Sequence, residues 1–210
     1  MNKNDEEVSN IPVTEIMHDI IFIDENITMP KCAQIMLEKK ISSLAIGNKE
    51  CIQGIFTKTD LLQYYEYHLS QGHRKVDDYT NRNYLSVDSE VNAMLALDEM
   101  IIHNVTRVIV QDSDKIPKRI ATLGNFMNPL MVNDSSNLKN SGNLIFDETL
   151  TIGDIMITGF LTVPIGTDLK IACKTLLESH IDGIGITRND NTLAGVLSKT
   201  DIMHAIESMN

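Results

Sequence analysis

The 210-residue chain contains no tryptophan, only five tyrosines and five phenylalanines, and no run of basic residues. Proteins that hold nucleic acid set aromatic faces among cations, and here a formal net charge of −11 repels a phosphate backbone, which argues against nucleic acid as a partner. Cysteine is scarce. Cys32, Cys51 and Cys173 stand singly, so neither a CxxC metal site nor an even disulfide framework is available, and they read as packing residues. The six histidines (His18, His68, His73, His103, His180 and His204) are scattered along the chain, which argues for surface or helix-end roles over a metal site. Long apolar runs are also missing. Nothing approaches the roughly 20 residues needed to span a bilayer, and the polar, acidic start MNKNDEEVSN does not resemble a signal peptide, so a soluble, cytoplasmic protein is expected.

What is present is a phrase written twice. Gly54-Ile55-Phe56-Thr57-Lys58-Thr59-Asp60-Leu61-Leu62 returns as Gly195-Val196-Leu197-Ser198-Lys199-Thr200-Asp201-Ile202-Met203, and a weaker copy, Arg119-Ile120-Ala121-Thr122-Leu123-Gly124-Asn125-Phe126, lies between them. Each copy reads as a buried strand running straight into a helix. A hydroxyl residue followed three positions later by an acid is first of all a capping box, in which hydroxyl and carboxylate satisfy free N–H groups of a helix's first turn. Repetition is the stronger signal, because self-similarity of this kind marks a fold built from one supersecondary unit. With 42% apolar residues, such a chain can bury one or two cores.

In order, residues 1–10 read as a tail, and Val13-Thr14-Glu15-Ile16-Met17 opens a first repeat over 11–73. It continues with a strand at 20–23, a helix started by Thr28 and Pro30, strands at 41–46 and 51–56, and a helix from Lys58 with Leu61, Leu62, Tyr65 and Leu69 on one face. A second repeat over 75–131 has strands at 84–87, 105–110 and 119–121, a helix over 91–103, and a long turn over 111–118 that contains Pro117. Residues 132–150, rich in Asn, Ser and Gly, read as a linker in which Leu144-Ile145-Phe146 is a candidate docking strand. A third repeat over 151–207 opens with Gly153-Asp154-Ile155-Met156, an echo of Thr14-Glu15-Ile16-Met17. Its elements are a strand at 160–164, a helix over 168–179, strands at 181–187 and 193–197, and a last helix.

This α/β order, strand-helix-strand-strand-helix with Glu/Asp-Ile-Met at the entrance and Gly-apolar-apolar-Ser/Thr-x-x-Asp at the exit, resembles the cystathionine-beta-synthase (CBS) domain. The resemblance implies repeats that pair through their sheets into a Bateman module, whose clefts bind adenosine nucleotides without catalysis. It assigns Thr162, Ile181, Asp182, Gly183, Ser198, Lys199 and Asp201 to a nucleotide site in repeat three. In repeat one it assigns Ile41, Ser42, Ser43, Thr57, Lys58 and Asp60, with Phe22 at the position of Thr162. Its physical counterpart is plain: a helix N-terminus and a lysine suit phosphate, whereas an aspartate, repelled by phosphate, suits the donors of a ribose diol. Repeat two departs from the pattern, with Asn125 for the acid and Arg107 where the others carry Ser43 and Gly183. Arg107 either reaches toward phosphates or fills space.

The expected ligand is therefore AMP, ADP or ATP, with no cofactor required. No base accompanies Ser198 in sequence, so the chain is not expected to be an enzyme. The alternative is a structural interaction module whose clefts are empty and whose motifs are helix caps only. With no other domain to regulate, the output is expected in a separate partner protein or in self-assembly. Repeats one and two, adjacent in sequence, are the natural pair. Repeat three is then left with exposed strands 160–163 and 181–186, from which a homodimer through repeat three is expected.

Overall fold

The computed structural model describes residues 12–68, 74–111, 116–126, 149–156 and 159–209. A helical turn, α1 (Val13–Ile16), precedes repeat one, which runs β1 (Phe22–Ile23), α2 (Met29–Lys39), β2 (Ser43–Gly47), β3 (Ile52–Thr57) and α3 (Lys58–His68). A 3-10 turn (Val76–Asp78) leads to repeat two: β4 (Ser86–Val87), α4 (Ala93–Ile102), β5 (Arg107–Gln111), β6 (Pro117–Thr122) and a helical start over 123–126. The short α5 (Ile152–Ile155) comes before repeat three, with β7 (Thr162–Pro164), α6 (Leu169–Glu178), β8 (Gly183–Thr187), β9 (Leu193–Ser198) and α7 (Lys199–Glu207). The tail, the docking strand at 144–146 and Leu69 lie outside the described residues.

The three repeats agree in register as well as order. In each sheet the first strand lies parallel to the second and the second antiparallel to the third, and each carries a register shift at one equivalent place, Ile46/Gly47, Val110/Gln111 and Ile186/Thr187. Pro117 belongs to β6 opposite Gln111, one residue past that shift, instead of to the preceding turn. A bulge is where a strand tolerates a residue that cannot donate to the ladder. The helix ends agree too. Lys40, Asn104 and His180 all turn left-handed (φ 55°, 51° and 53°), and the next residue's N–H reaches back to Met36, Met100 or Leu176. This is the Schellman stop, and it seats Ile41, Val105 and Ile181 against the helix they follow.

By contacts the chain divides into two units, one gathering the described residues of 12–19 and 85–160, the other those of 20–84 and 161–209. The second holds repeats one and three around one core. α2 packs on α7, α3 on α6, and α3 on α7. Cys32, Ala33 and Met36 of α2, Leu61, Leu62 and Tyr65 of α3, Leu169, Ala172, Cys173 and Leu176 of α6, and Ile202, Met203, Ala205 and Ile206 of α7 are all buried there. Alanines at 33, 172 and 205 let helix axes approach, and each fully buried leucine contributes about 2 kcal/mol. Repeat three is therefore not left over. Its Val163, Ile184 and Ile186 lie in the core shared with repeat one, so of the patch from which a dimer through repeat three was expected only Leu161 is an exposed large hydrophobic residue. The reason is strand alternation: Ile184 and Ile186 turn to the helices and leave Gly183 and Gly185, which bear no side chain, on the other face.

The first unit holds repeat two, whose core joins Ala93, Ala96 and Met100 of α4 to Val108, Val110, Ala121 and Phe126. Ile152 and Ile155 of α5 complete it. The Gly153-Asp154-Ile155-Met156 phrase, expected to open repeat three, thus packs on repeat two. It is held there by bonds from Ala93 N–H to the Leu150 carbonyl (2.8 Å) and from Ile152 N–H to the Val91 carbonyl (2.8 Å). Among the described residues no helix is long and apolar enough to cross a membrane.

Candidate functional site

In repeats one and three a strand ends and a helix begins within one peptide, because Thr57 and Ser198 accept the last register position of their sheets and cap the helix that follows. The Asp201 carboxylate, through Oδ2, accepts from Ser198 N–H (2.7 Å) and Ser198 Oγ (2.5 Å), and Asp201 N–H points back at Ser198 Oγ (3.4 Å). Repeat one repeats this geometry: Asp60 Oδ2 accepts from Thr57 N–H and Oγ1, both at 2.7 Å, and Asp60 N–H faces Thr57 Oγ1 at 3.4 Å. The capping box is real in both. The cap that the motif led us to expect occupies Oδ2 of each aspartate, and Oδ1 has no hydrogen bond among the described residues.

The sheets bring the other expected residues to the same place. Gly183 stands opposite Ser198, the Asp182 carbonyl accepts from Lys199 N–H (3.2 Å), and Ile181 precedes them at the Schellman stop. Equivalently, Ser43 stands opposite Thr57, the Ser42 carbonyl accepts from Lys58 N–H (3.0 Å), and Ile41 precedes. Thr162 pairs with Gly185 and so lies on the sheet face of Gly183, as Phe22, paired with Ala45, lies on that of Ser43. Phe22 is half-buried and Thr162 exposed, so the two repeats offer different walls.

A feature not visible in either repeat alone is how the two motifs meet. Lys58 Nζ donates to Thr200 Oγ1 across the unit (3.1 Å), and Lys199 Nζ donates to Thr59 Oγ1 (3.3 Å). Each lysine reaches the other repeat's helix start. Lys199 also pairs with the exposed Asp182 carboxylate at 2.9 Å. Lys and Asp of each first turn have their N–H groups engaged, whereas those of Thr59 and Thr200, also in the first turn, make no hydrogen bond among the described residues. Two positive helix ends, two ammonium groups, two free N–H groups and two hydroxyls thus converge, which is the chemistry that holds phosphate. Thr59 and Thr200 were missed in the sequence. Their one signal was the identical Lys-Thr-Asp in both copies.

Repeat two differs. Asn125 Oδ1 accepts from Thr122 N–H (2.7 Å) and Thr122 Oγ1 (3.0 Å), the same two bonds, but the side chain is only 2% exposed. Arg107 is half-buried at the head of β5, opposite Thr122, in the position of Ser43 and Gly183. It lies in the unit of repeat two. No group of His, Cys, Asp or Glu among the described residues could hold a metal ion. Cys32 and Cys173 are buried as expected, whereas Cys51, also read as a packing residue, is exposed just before β3; burial pushes the Cys173 thiol up to about 12 and raises that of Cys32, which leaves both inert.

A family model, the CBS domain, matches residues 5–67 and 152–208. Protein MJ1225 from Methanocaldococcus jannaschii shares the fold at a TM-score of 0.82 and 20% identity, over 97% of this chain and 73% of that one. The CBS domain pair of protein MJ0100, solved with 5'-methylthioadenosine and S-adenosyl-L-methionine, matches at a TM-score of 0.52 and 17% identity, over 63% of this chain and 98% of that one. CBSX2, solved with AMP, matches at 0.53 and 19%, over 65% and 98%. At these identities the similarity is one of fold. Among curated proteins none matches the chain by sequence.

Proposed function

The chain belongs to the CBS-domain family, and on that premise we propose that it is a non-catalytic regulatory protein that binds an adenosine nucleotide (AMP, ADP or ATP) and signals through its conformation or assembly. The observation that carries this reading is the crossing of Lys58 to Thr200 and Lys199 to Thr59, which gathers phosphate-binding groups at two helix starts. The free Oδ1 of Asp60 and of Asp201, one in each repeat, stands ready to accept from a ribose diol. Ile41 to Ser43 and Ile181 to Gly183 would then line the base, with Thr162 beside it in repeat three only. The printed ligands of two fold relatives, AMP for one and methylthioadenosine with S-adenosyl-L-methionine for the other, support an adenosine compound as the class.

A thermal-shift series with adenosine, AMP, ADP, ATP and S-adenosylmethionine tests the proposal. A ligand that binds only the folded state stabilises it by about 2.7 kcal/mol at 100 times its dissociation constant, a shift of several degrees. Phosphate-bearing members are expected to shift the melt more than adenosine. Absence of any shift at millimolar ligand would sink the reading and leave the structural module, in which the capping boxes are only caps. Arg107 as a phosphate ligand and a homodimer as the output are further parts of the proposal. The first is tested by Arg107→Ala in the same series, and the surface for the second is argued below.

A further inference from the structure

Repeat three is crossed by a segment that leads into repeat two. Val76 N–H donates to the Thr167 carbonyl (3.0 Å), Leu169 N–H donates to the Arg74 carbonyl (2.9 Å), and the Val76 side chain is wholly buried. Further on, Asn81 exchanges two bonds with Val196 (2.8 and 2.9 Å) and passes so near β9 that a Cβ on Gly195 would stand 2.5 Å from the Asn81 carbonyl oxygen. Repeat two is seated in the same way by the segment that leads into repeat three, with Ile152 wholly buried. Each docked segment sits on a repeat other than the one it introduces.

Repeat one has the seat without the segment. Ile27 and Met29 occupy the places of Thr167 and Leu169 around the helix N-cap, yet the Ile27 carbonyl and Met29 N–H make no backbone bond of this kind among the described residues. Gly54 holds the register position of Gly195, each opposite the isoleucine before the bulge, and a Cβ there would meet nothing within 4 Å. Ile55 is 70% exposed, whereas its counterpart Val196 is 9% exposed. One segment is also left over. Val13 stands where Ile152 stands in the echoed phrase, and it is 70% exposed.

We propose that the seat on repeat one is filled by the Val13–His18 segment of a second copy of this chain. An exposed segment and a seat left uncovered among the described residues of each chain are self-complementary, so a two-fold pair closes with both satisfied. The exchange repeats between chains what repeats two and three show within one. The partner's Val13 would enter beside Ile27 and Met29, and its His18, five residues on as Asn81 is from Val76, would pair with Ile55 over the bare Gly54.

Multi-angle light scattering and sedimentation of the full chain, without nucleotide, test this independently of the proposed ligand. The wild type is expected to be a dimer at micromolar concentration. Gly54→Val, which has open space and gains strand propensity, is expected to weaken the dimer at least ten-fold with an unchanged monomer melt, and Val13→Asp to do the same from the other side. A wild-type monomer at tens of micromolar would overturn the proposal, as would a dimer indifferent to both substitutions.

Discussion

Repeats one and three share a register, a cap and a core, but one is strapped and the other bare. The glycine that ends each strand's bulged stretch is the clearest case: Gly195 lies under Asn81, and a Cβ on Gly54 would meet nothing within 4 Å among the described residues. Equal sequence signals therefore do not mean equal surroundings. Repeat two extends the lesson, because Asn125 makes the same cap as Asp60 and Asp201 without their charge. A carboxylate is not needed for the cap. Nor does a capping carboxylate alone mark a site, since Asp154 Oδ2 caps Thr151 with the same two bonds (2.9 and 2.8 Å) at the head of α5. What sets Asp60 and Asp201 apart is the pair of crossing lysines beside them.

The sharpest way to break the strapped-and-bare comparison is at the apolar anchors. Ile152→Ala removes a wholly buried side chain and is expected to cost about 2–5 kcal/mol in urea melts, whereas Val13→Ala should change the monomer by less than about 0.5 kcal/mol. A large loss at Val13 in the monomer would show that segment already seated. Next in size is Asp201→Asn. The cap should survive, as Asn125 shows, so denaturant melts should move little. Nucleotide affinity by calorimetry should fall about ten- to a hundred-fold through loss of charge-assisted hydrogen bonds worth about 1.5–3 kcal/mol. Unchanged affinity would reduce the motif to a cap. Gly195→Ala, forced against Asn81, is expected to cost about 1–3 kcal/mol, and Gly54→Ala nearly nothing.

The smallest effect concerns pH. The folded state holds the Cys173 thiol neutral up to about 12, against an ordinary 9.0, because burial penalises the thiolate. The folded value is the higher, so this contribution is complete below pH 9 and is lost as pH rises toward 12, by at most about 1.4 kcal/mol per unit. Between pH 9 and 10, before Tyr65 (raised by burial from 10.0 to about 12) joins in, Cys173→Ala should flatten the decline in stability. Equal slopes for the two proteins would show that the thiol is not held neutral.

The sequence alone determined the repeat and its parts. Periodicity places Ala33 and Met36 on the buried face of α2, the Gly-apolar-apolar-hydroxyl phrase makes a strand that turns into a capped helix, and both follow from bonds between residues a few positions apart. That 41–43 and 57–60 come together, as do 181–183 and 198–201, was also legible, since the register of one small sheet brings them side by side. Only the tertiary structure decided which repeats share a core, because helix faces of similar composition do not name their partner, and strand alternation hid Ile184 and Ile186 where the linear run suggested exposure. It alone set Lys58 on Thr200 and Lys199 on Thr59, contacts 142 and 140 residues apart that no local pattern encodes. It also seated α5 on repeat two and left Gly54 bare, because docking of a segment depends on what stands beside it in space.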